Sequence, residues 1–445
     1  MCGIRILFVL LLCSFKVYAA DLTLFEAYQR ASTYDASILA ARANNMAERE
    51  EINKSFAGFL PQARISAFQG QGKTDSTTPA GSTSISRHTN YDNYNYNFSV
   101  RQSIYNKANI ADYRGSKAQV AKSDAVLEKE KITLITRVSG AYLDVLLANE
   151  NIDYSRSQIE SVTSQLNQAE RRYELGSGTI TEISESKANL ETAIAKSLEW
   201  SNAFELAKRE LENYIGNFEG QLLRLDPKKL NPRLVLEKKM DDWIVVGLDK
   251  NPEVVAAKHD LEILNQEIEK NLAGHYPTLD LLASRVLTES DTNYTIGSSY
   301  RTSSLGLQLN VPIFSGGYVN ASVNQARHKL NESEEKLKEK QRSISNDIRK
   351  YFNEVNNNVA RIKAFEESLK SNEIALTGTK KGYEAALRSN VDVLNAEEKF
   401  VSAKRDLAKE RYQLIFNILQ LKLSAGSLNE NDIQEVSHWL TKANS

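Results

Sequence analysis

Cysteine is nearly absent: the 445 residues contain two, Cys2 and Cys13, both at the extreme amino terminus. Everything downstream therefore lacks the means for a disulfide, a thiolate nucleophile or a cysteine-held metal. Proline is scarce as well, with seven in all at Pro61, Pro79, Pro227, Pro232, Pro252, Pro277 and Pro312. Two stretches, residues 80–226 and 313–445, have none and leave room for uninterrupted helices. Neither charge is in excess, with 56 Lys and Arg against 57 Asp and Glu, so nothing points to nucleic acid as a partner. No apolar run is long enough to cross a bilayer as a helix. Residues 6–12 fall well short of the roughly 20 residues required. That run follows the basic Arg5 and precedes Val17-Tyr18-Ala19, the pattern of a secretory signal peptide over residues 1–19, cut after Ala19. A lipidated Cys13 is the competing reading, but Leu12 stands where that processing needs a small residue.

Enzyme signatures are missing too. The histidines, His88, His259, His275, His328 and His438, show no HExxH spacing, and no nucleophile elbow or dinucleotide loop occurs. Residues 67–74 (AFQGQGKT) satisfy a relaxed phosphate-loop pattern. A phosphate loop needs a helix to open directly after the Lys-Thr pair, whereas residues 75–81 read as a loop containing Pro79. No catalytic residue, metal or cofactor is expected.

What the chain does contain is a duplication. Ala57-Gly58-Phe59-Leu60-Pro61 is answered 216 residues later by Ala273-Gly274-His275-Tyr276-Pro277. Ser103-Ile104-Tyr105 corresponds to Pro312-Ile313-Phe314 at an offset of 209, and from Val138 to Gly216 the offset is a constant 210. In the first copy Val138, Val145, Ile152, Ile159, Leu166 and Tyr173 recur every seven residues; in the second, Ile348, Val355, Ile362, Leu369, Leu376 and Tyr383 do so. The period resumes after a break as Ile183, Leu190, Ser197, Phe204 and Leu211, and as Val393, Phe400, Leu407, Leu414 and Leu421. Each copy is thus a helical hairpin with a heptad seam. A helix over residues 106–173 would extend roughly 100 Å at 1.5 Å per residue, far beyond a bilayer, so these helices stand in water.

The segments between the helices follow a different period. Tyr94, Tyr96, Phe98 and Val100 alternate with Asn95, Asn97, Ser99 and Arg101, and Leu305, Leu307, Leu309 and Val311 alternate with Gly306, Gln308 and Asn310. With less regular partners upstream, four strands are expected, at about 62–72, 91–103, 278–287 and 303–312. Ser-, Thr-, Gly- and Asn-rich loops would join them over residues 72–90 and 288–302. One apolar and one polar face over about ten residues is the pattern of a transmembrane β-barrel strand, and a solvated antiparallel sheet looks similar. In lipid a sheet must close, and four strands are too few, so several chains must share one barrel.

On these features, and on Leu60-Pro61, Tyr276-Pro277, Val311-Pro312-Ile313-Phe314-Ser315-Gly316-Gly317, Gly382-Tyr383 and Val391-Asp392-Val393-Leu394, the chain resembles the TolC family of outer-membrane efflux and type I secretion channels. The resemblance implies a mainly helical fold with transmembrane β-structure: duplicated hairpins forming a periplasmic α-barrel, plus four strands per chain of a β-barrel shared in a homotrimer. It divides the chain into repeat 1 (20–226, hairpin 106–216), an equatorial linker (227–250), repeat 2 (251–426, hairpin 318–425) and an equatorial tail (427–445). It implies residence in outer-membrane lipid, extension into the periplasm, and partnership with a periplasmic adaptor and an inner-membrane pump of ABC, RND or MFS type. A periplasmic coiled-coil structural or adaptor protein is the alternative.

The resemblance also assigns a gate. Asp392 matches a constricting aspartate ring, and Asn395 stands where the family has a second. Thr181, Glu182, Tyr383 and Arg388 match latch positions, and Gly176, Gly178 and Ala386 mark the tips where an adaptor docks. The second tip, Ala385-Ala386-Leu387-Arg388, lacks the glycine of the first, and Asn390 is the candidate left-handed residue there. Without the family, all these side chains read as a solvated helix face.

Overall fold

The computed structural model describes residues 21–231, 237–290, 295–385 and 387–441. The signal-peptide reading, and Ala386, lie outside the described residues. Each repeat opens with an eleven-residue helix, α1 (Leu24–Tyr34) and α5 (Met240–Lys250), followed by a 21-residue helix, α2 (Ala36–Phe56) and α6 (Pro252–Leu272). A single 3-10 turn, Ala57–Phe59 or Ala273–His275, then leads into the strands. After the strands come α3 (Lys107–Glu174) and α4 (Ile180–Ile215) in repeat 1, and α7 (Tyr318–Glu384) and α8 (Asn390–Ser424) in repeat 2. A short α9 (Glu430–His438) follows. The offset of 216 holds up to the strands and the offset of 210 beyond them, so the duplication is structural as well as sequential.

The chain forms two compact units. One comprises residues 41–127 and 252–342. Its sheet has the order β1-β2-β4-β5, antiparallel throughout, with β1 Gln62–Ala80, β2 Thr83–Tyr105, β4 Thr278–Glu289 and β5 Ser299–Asn310. Ion pairs are among the contacts that tie its helices across one another: Arg49 to Asp124 (2.7 Å), Lys122 to Asp260 (2.6 Å) and Lys270 to Asp112 (2.7 Å). Being half exposed, these pairs set register more than they add stability.

The register sorts the faces. Val100 pairs with Ala283, which pairs with Leu305; Phe98 pairs with Ile65; Leu281 pairs with Leu307. Directly opposed residues share a face, so Ile65, Tyr96, Phe98, Val100, Leu305, Leu307 and Leu309 form one apolar surface, and these are exposed save the half-buried Val100. The other face carries Asn95 with Thr288, Ser284 with Ser304 (2.7 Å), and Arg101 with the buried Asp280 (2.6 Å). Apolar out and polar in is the arrangement lipid requires of a barrel wall.

The first expected loop is instead strand. β1 and β2 continue through residues 72–90 to a two-residue turn at Gly81-Ser82, where Gly81 takes φ 66°. Threonine favours strand, and cross-strand polar pairs hold the ribbon: Thr77 with Ser86, and His88 with Asp75. β4 and β5 also run slightly past the expected bounds, to Glu289 and from Ser299; residues 291–294 lie outside the described residues.

The other unit comprises residues up to Ala40, Glu128–Asn251 and Ser343 onward. Here the seams are buried: Val138, Val145, Ile348, Val355, Leu414 and Leu421 are each at most 3% exposed. The segment expected as a linker contains helix α5, whose buried Trp243 and Gly247 anchor it. β3 (Arg224–Leu225) pairs with β6 (Leu440–Thr441), and Leu22 bridges to Leu222. Tyr142 fastens this belt from within: its buried hydroxyl donates to the Leu22 carbonyl (2.8 Å) and accepts from the Leu223 N–H (3.0 Å). Burial pushes that phenol's pKa upward, so it stays a donor.

The face assignment makes a sharp expectation. Leu307→Arg should cost roughly 2 to 4 kcal/mol of insertion if the side chain lies near the lipid midplane, whereas Gln308→Arg on the opposite face should be tolerated. Recovery of folded, heat-modifiable protein in the outer-membrane fraction measures both. Failure of Gln308→Arg alone would invert the faces.

Candidate functional site

The two hairpin tips bring together most of the residues singled out by sequence. In the first, the Ser177 and Gly178 N–H groups both donate to the Arg172 carbonyl at 2.9 Å, closing the turn. Gly176 has φ 74°, and a Cβ on Gly178 would lie 2.8 Å from the Tyr173 nitrogen, so both glycines are required. The second tip makes the same bonds at the repeat-equivalent places: Leu387 and Arg388 donate to the Gly382 carbonyl at 2.8 and 3.2 Å. The glycine has changed sides. Gly382 stands where repeat 1 has Arg172, and Arg388 where it has Gly178; a Cβ on Gly382 would meet the Arg388 Cγ at 2.8 Å. The exchange was visible in the aligned repeats as a pair of compensating substitutions, but only the turn geometry shows that they touch. Asn390 is not the left-handed residue: it is the first residue of α8 and is buried.

Both candidate gate acids are helix caps. Asp392 accepts from the Ser389 N–H (3.0 Å) and hydroxyl (2.9 Å), while the Ser389 hydroxyl accepts from the Asp392 N–H (3.1 Å). Thr179 and Glu182 make the corresponding box on α4, at 3.3 and 3.4 Å. The signal was in the sequence as Thr179-x-x-Glu182 and Ser389-x-x-Asp392. The Ser389 amide and hydroxyl, then the nearby Arg388, hold the Asp392 carboxyl below the ordinary carboxylate range. It is therefore ionised at neutral pH. Asn395 lies one turn on and is exposed, as are Thr181 and Arg388.

The four latch positions are not joined to one another within one chain. Tyr383 is 6% exposed, its ring lies under the Arg172 guanidinium at 4.8 Å, and its buried hydroxyl has no partner among the described residues. Other polar groups, which sequence reasoning missed, do connect the hairpins. Asn390 donates to Ser186 (2.7 Å), Tyr412 to Glu150 (2.5 Å), and Gln165 to Glu397, whose carboxylate also faces Lys380 at 3.7 Å. Nothing in their spacing distinguishes them from surface heptad positions. No group of His, Cys, Asp and Glu suited to a metal occurs among the described residues.

Residues 27–217 and 243–427 match the outer membrane efflux protein family, one segment for each structural repeat. The chain belongs to that family. It is 30% identical to the alkaline protease secretion protein AprF of Pseudomonas aeruginosa over 94% of this chain and 87% of that one. It is 27% identical to the outer membrane protein TolC of Escherichia coli over 94% and 85%. Among solved structures, the CmeC outer membrane channel of Campylobacter jejuni superposes with a TM-score of 0.76 at 17% identity, over 94% of this chain and 89% of that one, which shows the shared fold. A family member of this architecture is an outer-membrane export channel reaching into the periplasm, and the family is one of transport proteins.

Capping predicts a local effect. Ser389→Ala should destabilise the start of α8 by about 1 kcal/mol, and acid should weaken it in the same direction. Because the Asp392 pKa is lowered on folding, its contribution is complete above the ordinary carboxylate pKa and is lost as pH falls through the lowered value. Hydrogen exchange at residues 390–394 reads both effects. Equal protection in Ser389→Ala and the parent would remove the cap.

Proposed function

We propose that three copies of this chain join their sheets into one twelve-stranded barrel in outer-membrane lipid and their hairpins into a tunnel through the periplasm. The observation that carries this reading is the amphipathic sheet whose outer strands, β1 and β5, each have a single neighbour among the described residues. Unpaired backbone along those edges is prohibitive in hydrocarbon, and about eight strands are the fewest that close a barrel. The tunnel works with a periplasmic adaptor, seated at tips marked by Gly176 and Gly178, and with an inner-membrane pump. We take the cargo to be secreted protein and the pump to be of the ABC type, because a relative of 30% identity over nearly the whole chain is a protease secretion protein. Small-molecule efflux is the second reading, supported by the family description. The chain itself performs no chemistry.

In the threefold ring, the Asp392 carboxylates face one another at the constriction. Three like charges concentrate cations and repel anions, and mutual repulsion works against the capping bonds that keep each carboxyl ionised. Asn395 supplies no second ring. Arg388, exposed and next to the turn, with Thr181, Glu182 and the unpartnered Tyr383 hydroxyl, offers the contacts that latch neighbouring hairpins.

Single-channel recording in a planar bilayer tests the assignment. The parent should be cation-selective, and Asp392→Asn should nearly abolish that preference while the oligomer persists. Arg388→Ser should instead raise conductance. Unchanged ion selectivity in Asp392→Asn, with the oligomer intact, would return Asp392 to the role of a helix cap. Comparison of secreted proteins with and without the gene separates the two cargo readings.

A further inference from the structure

The register assigns each strand residue to one of the sheet's two faces, and it puts two cations on the apolar one. Along β4 that face runs from Leu279 through Leu281 and Ala283 to Arg285 and Leu287; on β5, Ser303 stands opposite Arg285 and Arg301 opposite Leu287. Both arginines are exposed, and neither has an ion-pair or hydrogen-bond partner among the described residues. The polar face treats a cation otherwise, since Arg101 is held by the buried Asp280 at 2.6 Å. Glu289, which ends β4 on the same face as Arg285, makes no ion pair with either arginine.

The height of the two cations on the wall decides what they can meet. An arginine facing lipid is costly at the midplane and nearly free of cost at the interface. Arg285 and Arg301 stand seven and nine residues from the helix-bearing end of the sheet at Thr278 and Asn310. At about 3.4 Å per residue and a strand tilt of about 40°, they rise roughly 18 and 23 Å above that end. The apolar band of a barrel wall is about 25 Å tall, so both lie at its far margin. Tyr94 and Tyr96 mark the same margin on β2, with rings stacked at 5.4 Å. A guanidinium there reaches headgroups, and its planar fork suits the oxygens of a phosphate. The two arginines are diagonal neighbours in the register, so an anion shared between them also relieves the repulsion of like charges.

The strands beside them show what kind of headgroup fits. Pairing with β4 stops at Tyr94, but β1 and β2 continue as a two-stranded ribbon to Ala80 and Thr83, about eleven residues or roughly 37 Å further. On the face that bears the arginines, this ribbon presents Gln71 with Asp92 (3.2 Å), Lys73 opposite Asn90, and Thr77 with Ser86 (3.3 Å). The polar layer of a phospholipid leaflet is only roughly 5 to 8 Å deep. A ladder of amides and hydroxyls several times taller suits a headgroup built of sugars.

We propose that Arg285 and Arg301 bind the phosphates of a phosphorylated glycolipid in the outer leaflet, whose acyl chains lie along the apolar face and whose sugars stand against Tyr94 and the polar ribbon. This rests on the barrel reading above and adds to it a specific lipid ligand. In the ring, β5 pairs its backbone with the next copy and keeps this face toward lipid.

Native mass spectrometry of the purified oligomer tests the site, with three probes titrated separately: lipid A, which is an acylated disaccharide with two phosphates, the same lipid stripped of its phosphates, and phosphatidylglycerol. The parent should bind lipid A on the order of tenfold more tightly than either other probe, and Arg285→Gln with Arg301→Gln should lose on the order of tenfold for each arginine removed. Arg64→Gln, on the polar face, should bind as the parent does. Taking charge off a lipid-facing wall should leave insertion intact, which heat-modifiability in the outer-membrane fraction checks. Unchanged lipid A affinity in the double variant, or an equal loss in Arg64→Gln, would overturn the proposal. So would equal binding of stripped lipid A by the parent, or equal binding of phosphatidylglycerol, which would leave an ordinary phospholipid contact. Should the double variant fail to assemble, the three probes on the parent still decide. A parent that is monomeric and absent from the outer membrane removes the barrel reading and the proposal with it, whereas an outer-membrane oligomer that binds none of the probes overturns the proposal alone.

Discussion

A β-sheet in hydrocarbon has to leave no backbone N–H or C=O unpaired, and this chain carries a four-stranded sheet whose two edges are bare among the described residues. That single constraint organises the rest of the molecule. The duplicated chain supplies two hairpins of strand and two of helix, and in the proposed trimer the strands obtain from other copies what they lack alone. The helical part follows the same logic, since heptad seams are satisfied only by neighbours. The belt pinned by Tyr142, with its two-stranded β3–β6 patch, is by contrast tied by hydrogen bonds within one chain.

Burial along the helices is graded accordingly. Near the belt, Leu134, Val138, Tyr142, Leu146 and Leu211 are almost wholly buried. Toward the tips, Leu175, Ile180 and Leu387 are exposed, and the heptad residue Tyr173 is 49% exposed where its counterpart Tyr383 is 6% exposed. Well-packed seams resist local opening and sparsely packed ones allow it, and at the tips the sparser packing lies on hairpin 1, since Tyr383, Asn390, Val393 and Leu394 of hairpin 2 are buried. The difference between Tyr173 and Tyr383 is a difference between the two repeats. Tyr383 of hairpin 2 finds a partner within its own chain, under Arg172, while Tyr173 of hairpin 1 is left open in it.

The duplication, the helices and the apolar sheet face were legible because each is a periodic signal summed over many residues, and periodicity survives local noise. What was not legible depends on pairs. Residues 72–90 read as loop because Ser, Thr and Asn are turn-formers locally, yet facing each other across two strands they become ladder partners, as Thr77 and Ser86 do. The second tip read as defective for lack of a glycine, since only the folded turn shows Gly382 making room for Arg388. Asp392 was assigned by resemblance to a constriction, and its capping bond to Ser389 went unread, although the spacing alone announces it. The buried Asn390–Ser186 pair had no signal at all, because an asparagine just inside a helix start is ordinarily a solvated residue.

The two roles of Asp392 bear on each other. As a cap it needs its charge, because the carboxylate accepts from the Ser389 amide and hydroxyl at the positive end of α8. In a threefold ring the same charge is disfavoured by its two copies. A carboxylate that had only the ring to answer to would drift upward in pKa and give up its charge part of the time. One anchored by two hydrogen bonds and a nearby Arg388 starts from a lowered value, which opposes that drift. In the proposed ring, the capping box thus helps to keep the constriction charged and ties the electrostatics of the entrance to the folding of the helix that carries it. The first repeat keeps the same box with Glu182, whose longer side chain still closes on Thr179, so the cap survives in both copies.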